Sequence, residues 1–123
     1  MHKIFVYGTL MKGFGNCMRL LSRSKLLGTG ETSPNFTLIS LGGFPGLLDI
    51  GETSVKGEIW EVDDKTLADC DRLEQHPNWY RRTPITLTDG TDVEAYIYLK
   101  PSNREAGSVI TSGSWREHTG RLT

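Results

Sequence analysis

The chain has little that would tie it to a polymer, a membrane or a metal. Its 123 residues carry 14 Lys and Arg against 15 Asp and Glu, a net charge of -1. That balance removes the electrostatic basis for a nucleic-acid or anionic-membrane partner. No apolar run approaches the length needed to span a bilayer. The N-terminus passes directly into a strand-like run, with no apolar stretch of leader length, so a cytoplasmic setting is expected. Only two cysteines are present, Cys17 and Cys70, far apart and without a CxxC pattern, which agrees with a reducing compartment. His2, His76 and His118 share no metal-ligand spacing with each other or with the cysteines, so no metal is expected. Neither a phosphate-binding loop nor a GxGxxG turn is found. The glycine-rich run 42–46 contains Pro45 where phosphate-binding N–H groups would be needed. Trp60, Trp79 and Trp115 lack the accompanying basic stripe of a nucleic-acid stacking surface.

What remains is a size and composition suited to one domain, residues 1–123, able to bury a core without staples. Glycine is abundant, at 14 residues, as in turn-rich α+β folds. Residues 3–7 are β-branched or aromatic and apolar on both parities, which predicts a strand covered on both faces. Residues 25–30 and 35–41 read as short strands, and 54–62 alternates with period two. Residues 16–22 carry one or two helical turns. The clearest helix starts at Asp63-Asp64, both good N-caps, and stops at His76-Pro77. Residues 80–88 and 93–99 predict a hairpin about Asp89-Gly90, and a weak strand is expected at Val109-Ile110. Six or seven short strands with one long helix predict a small mixed β-barrel or curled sheet with flanking helices, not a doubly wound parallel sheet.

Two features carry chemistry. Leu67, Cys70 and Glu74 fall on one helical stripe, so a lone acid occupies an otherwise core-seeking face. Either the final turn has swung toward solvent, or Arg81 or Arg82 neutralises the carboxylate, or the group sits in a partly apolar cleft with its pKa raised. In the last case it can take and return a proton. The second feature is Tyr7-Gly8-Thr9-Leu10, where a glycine directly after a buried strand lets backbone N–H groups face a carboxylate or developing oxyanion. A tight turn is the plain alternative. Cys17 as a nucleophile has no local signature beside it.

The residues Phe5-Val6-Tyr7-Gly8-Thr9-Leu10, Gly43-Phe44-Pro45-Gly46, Val55-Lys56-Gly57-Glu58-Ile59-Trp60, the run from Asp71 through Glu74, Pro77 and Tyr80 to Arg82, and Ala95-Tyr96-Ile97-Tyr98 together resemble the γ-glutamylcyclotransferase-like family. The likeness is greatest to its γ-glutamylamine cyclotransferase and AIG2-like branch. It implies a small β-barrel and a reaction without cofactor or metal, in which a γ-glutamyl amine or amide cyclises to 5-oxoproline and releases an amine. The partner implied is a small γ-glutamyl substrate. The family's single acid/base glutamate falls on Glu74, its substrate loop on Tyr7, Gly8, Thr9 and Leu10, and two cleft tyrosines on Tyr80 and Tyr96. Phe44 stands where many members have tyrosine, and the tail lacks a clear last helix. Two other readings use the same cleft, a catalytically silent binding module and an amide hydrolase. The leaving group and the oligomeric state are not written in the sequence.

Overall fold

The computed structural model describes residues 1–99 and 108–120. Seven strands and three helices follow in the order β1 (His2–Val6), α1 (Gly15–Leu20), β2 (Lys25–Glu31), β3 (Phe36–Ser40), β4 (Pro45–Thr53), β5 (Lys56–Val62), α2 (Asp64–Leu73), β6 (Tyr80–Thr86), β7 (Asp92–Tyr98) and α3 (Trp115–Thr119). The strands make one mixed sheet of order β2-β5-β1-β7-β4-β3, with β6 on β7 as a branch. The mixed α+β class and the strand number agree with the sequence. The sheet is not closed into a barrel: β2 and β3 end the path.

β1 lies near the centre. Ile4, Phe5 and Val6 are all buried, as a strand apolar on both parities requires. Burying each such side chain stabilises the fold by about 2 kcal/mol. β1 pairs antiparallel with β5 over its full length and parallel with β7. Gly57 permits this closeness, since a Cβ there would stand 2.3 Å from the Val6 carbonyl oxygen.

β7 organises the site. β6 pairs along its whole length, from Tyr80↔Tyr98 to Thr86↔Asp92, and occupies one edge. The opposite edge is shared. β1 pairs there at Glu94 and Ala95, and β4 at Ile97. Both run parallel to β7, so one strand stops beside Tyr96 and another begins. At this fork the Tyr96 carbonyl also accepts from the Tyr7 hydroxyl, at 2.6 Å. The expected hairpin is thus present, with an extended sheet around it.

Helix α2 begins where its cap residue demands. The Asp63 carboxylate accepts the Thr66 N–H at 2.8 Å, and this bond holds the acid below the usual carboxylate range. Leu67 and Cys70 are buried. The helix ends at Glu74 in a Schellman arrangement: Gln75 is left-handed at φ 53°, its N–H meets the Arg72 carbonyl, and the His76 N–H meets that of Asp71.

Three sequence expectations need correction. Residues 42–46 are not loop throughout, because Pro45 and Gly46 already belong to β4, a nine-residue strand the breakers concealed. Val109 makes a single bridge to Ile39 rather than a strand. The tail does have a last helix, α3, capped by Ser114, whose hydroxyl accepts the Glu117 N–H at 3.1 Å.

Candidate active site

A cleft of about 890 Å³ opens at the fork of the sheet. Residues 7–10 after β1 form one bank, and residues 40–45, from the end of β3 to the start of β4, form another. Leu73, Glu74 and Gln75 at the end of α2, with Trp79 and Tyr80, form the third side, and Phe5, Tyr96 and Tyr98 also line it. All seven residues singled out in the sequence, Tyr7, Gly8, Thr9, Leu10, Glu74, Tyr80 and Tyr96, line this one cleft.

The first bank is held from behind. The Gly8 carbonyl accepts the Met11 N–H at 3.0 Å, closing a turn. The buried Glu58 carboxylate accepts the Lys12 N–H at 2.7 Å and the Trp60 indole N–H at 3.1 Å. Arg116 of α3 donates to the Lys12 carbonyl and to Glu58. Thr9 accepts from the Asn16 amide at 2.8 Å. Among the described residues, nothing accepts a hydrogen bond from the N–H groups of Gly8, Thr9 and Leu10. Gly8 is required by its neighbour: a Cβ there would lie 2.6 Å from Pro45 Cγ on the opposite bank.

The tyrosines are structural donors. Tyr7 donates to the Tyr96 carbonyl, Tyr80 to the Pro45 carbonyl at 2.8 Å, and Tyr96 to Asp71 at 2.7 Å. Tyr80 and Tyr98 pack ring to ring with centroids 5.2 Å apart. Burial pushes the phenols of Tyr7, Tyr80 and Tyr96 upward, so these stay neutral at physiological pH.

Glu74 differs from them. It is the one acid among the described lining residues, with no Lys, Arg or His beside it in that lining. Burial pushes its carboxyl up to about 7. The arginine question is settled against neutralisation. Arg82 binds Asp71, and its Nε reaches Glu94 at 3.2 Å, while Arg81 is exposed, pointing to the other side of β6. The carboxyl therefore sits poised between its two protonation states.

The cysteines take no part. Neither lines the cleft. Both are buried, which pushes the Cys17 thiol up and that of Cys70 to about 12, so neither is a thiolate near neutral pH. Among the described residues no group of three or more His, Cys, Asp or Glu gathers to hold a metal, and no helix is long and apolar enough to cross a membrane.

The sequence did not reveal the second bank. Residues 40–44 and the exposed aromatics Phe44 and Trp79 line the cleft, as do Asn16, Gln75, Tyr98 and Ser108. The signal available was Gly43-Phe44-Pro45-Gly46 itself, read as punctuation.

The model of the family described as gamma-glutamyl cyclotransferase, AIG2-like, matches residues 4–117. This chain belongs to that family. The match includes both banks of the cleft, Glu74 and the first turn of α3. A Vibrio cholerae protein provisionally named a γ-glutamylcyclotransferase is 45% identical over 114 residues, covering 93% of this chain and 95% of that protein. Gamma-glutamylaminecyclotransferase B of Danio rerio is 37% identical over 111 residues, which cover 79% of this chain and 58% of that one. An AIG2-like protein of Mus musculus has the same architecture, with TM-score 0.82 and 29% identity over 93% of this chain and 87% of that one. The γ-glutamylcyclotransferase-like fold thus extends over nearly the whole chain.

Proposed function

We propose that this chain is a γ-glutamyl cyclotransferase in which Glu74 is general base and then general acid. The observation that carries the reading is a carboxyl titrating at about 7, with no cation in the described lining, in one cleft with the N–H groups of Gly8, Thr9 and Leu10, which meet no acceptor among the described residues.

A γ-glutamyl substrate enters with its α-amine protonated and unable to attack. Glu74 takes one proton. The amine lone pair attacks the γ-carbonyl carbon, and the carbonyl electrons move to oxygen. Ring closure is intramolecular, so holding the folded conformer supplies a large part of the rate, about 7–11 kcal/mol in well-oriented cases. The N–H groups of Gly8, Thr9 and Leu10 bind the oxyanion or the α-carboxylate. Glu74 returns its proton to the leaving nitrogen and the amide C–N bond breaks; the ring nitrogen then gives up its second proton through the regenerated carboxylate to the released amine, and 5-oxoproline and an ammonium depart. Proton transfer of this kind contributes about 10²–10⁴-fold. A base near 7 suits both halves, since it accepts at neutral pH and remains acidic enough to donate.

The test is a product assay. Purified protein is incubated with glutathione, γ-glutamyl amino acids, γ-glutamyl-ε-lysine and a γ-glutamyl alkylamine, with Glu74→Gln in parallel, and mass spectrometry identifies the product. The expected result is 5-oxoproline from the wild type alone. Free glutamate would make the protein an amide hydrolase, and a folded protein inert on the whole panel would favour a binding module.

A further inference from the structure

We infer that Arg82 is the positioning residue of this site: by gripping Asp71 of α2 and Glu94 of β7 together, it clamps the last turn of α2, and with it Glu74, against the sheet. The inference rests on the reading of Glu74 as the acid/base group.

Asp71 and Glu74 are three residues apart and hence neighbours on one helix face. The Asp71 carboxylate is fully engaged. One oxygen takes the Arg82 Nη1 donor and the other the Tyr96 hydroxyl at 2.7 Å. The Arg82 Nε reaches Glu94 at 3.2 Å, and the Arg82 peptide N–H donates to His76 Nδ1 at 3.0 Å. One residue therefore joins the end of α2, the segment after Glu74, β6 and β7. The pairing is largely sheltered, with Arg82 and Asp71 side chains 21% and 24% exposed. Helix ends fray, and this one passes at once into a left-handed Gln75. Without a tie, the carboxyl of Glu74 would not keep one place in the cleft.

The charges matter as much as the geometry. One guanidinium faces two carboxylates, so no positive charge is left over to pair with Glu74. The groups coupled to Glu74 itself are Tyr7 from the β1 end, Tyr80 of β6 and Cys70 of α2, and burial keeps all three neutral. The titration of Glu74 therefore reports how well water is kept from it. Lysine cannot replace the clamp, because a single ammonium lacks the planar fork that reaches two carboxylates from different nitrogens.

The experiment compares wild type with Arg82→Lys, which keeps the charge and removes the fork. The Glu74 carboxyl is titrated by ¹³C NMR, 5-oxoproline kinetics are measured, and thermal melting gives the folded fraction. The expected result is a folded variant in which the Glu74 midpoint falls from about 7 toward the ordinary glutamate value, with kcat lower by about 100-fold, as for a displaced reacting group, and KM little changed. An unchanged midpoint, or a kcat loss no larger than the unfolded fraction, overturns the clamp. The NMR readout needs no turnover: a midpoint that falls in a protein making no 5-oxoproline upholds the clamp and sinks the acid/base reading. Should Arg82→Lys fail to fold, Glu94→Ala removes one of the two side chains that Arg82 grips, and a smaller drop in midpoint is expected; no drop overturns the inference.

Discussion

Gly8 and Pro45 face each other across the cleft so closely that a methyl group on Gly8 would stand 2.6 Å from the proline ring. The two banks are fitted at this point, and only the absence of a side chain on Gly8 lets them come this close. Gly8→Ala is expected to push the banks out of register, costing about 1–3 kcal/mol of stability as an overpacked contact does, and to raise KM. Because Tyr80 bonds the Pro45 backbone carbonyl, Pro45→Ala keeps that bond. The double variant Gly8→Ala/Pro45→Ala should recover much of the melting temperature and KM. Equal losses in single and double variants would show that the collision is not the cause.

The pH dependence of turnover follows from Glu74. The proposed reaction needs the carboxylate in the free enzyme, and burial places its titration at about 7. kcat/KM should therefore rise through an acid limb centred near that value. A profile flat down to about pH 4, where an ordinary glutamate titrates, would remove Glu74 from the role of base.

The same burial has a cost in stability. The Glu74 carboxyl titrates at about 7 when folded against an ordinary 4.5. Between these values the folded state binds more protons than the unfolded one, so stability falls as pH rises from 4.5 to 7 and is level above. Glu74→Gln lacks this penalty. It should melt higher than wild type at pH 8, by up to about 3 kcal/mol of stability, and the gain should disappear near pH 4 as the unfolded carboxyl also protonates. Melting curves at the two pH values decide it, and an equal difference at both would sink the argument.

Tyr7→Phe tests the fork of the sheet. The variant keeps the ring and deletes the donor that serves the Tyr96 carbonyl. Losing this buried hydrogen bond costs about 0.5–1.5 kcal/mol. The loss should appear in chemical denaturation, with kcat altered less than in Glu74→Gln. A variant as stable as wild type would mean that the hydroxyl is dispensable there.

Much of this arrangement is local and could be read from the sequence. The strand at residues 3–7, the hairpin, the Asp63 cap and the stripe Leu67, Cys70, Glu74 each rest on short-range periodicity or cap chemistry, and the structure contains all of them. β4 was hidden because Pro45 and Gly46 open it and Gly51 interrupts it, so propensity opposed a strand that pairing with β3 and β7 imposes. Helix α3 spans five residues, too few for a periodicity to show. The partner of Arg82 was beyond local reading for another reason. Asp71 lies eleven residues earlier on a different element, and the contact exists only once α2 packs against the β6–β7 hairpin. The second bank was missed because a breaker-rich run reads as a turn whether or not it borders a cleft.

The divided edge of β7 also bears on how such a protein can change over time. The bank carrying residues 8–10 hangs from β1, and the bank carrying residues 40–45 leads into β4. The two strands reach β7 at separate registers, Glu94 and Ala95 for one and Ile97 for the other. Mutations that reshape residues 41–44 therefore need not disturb β1, Gly8 or the helix end that bears Glu74. The side of the cleft that carries the exposed Phe44 can therefore be altered while the side that carries Glu74 is kept.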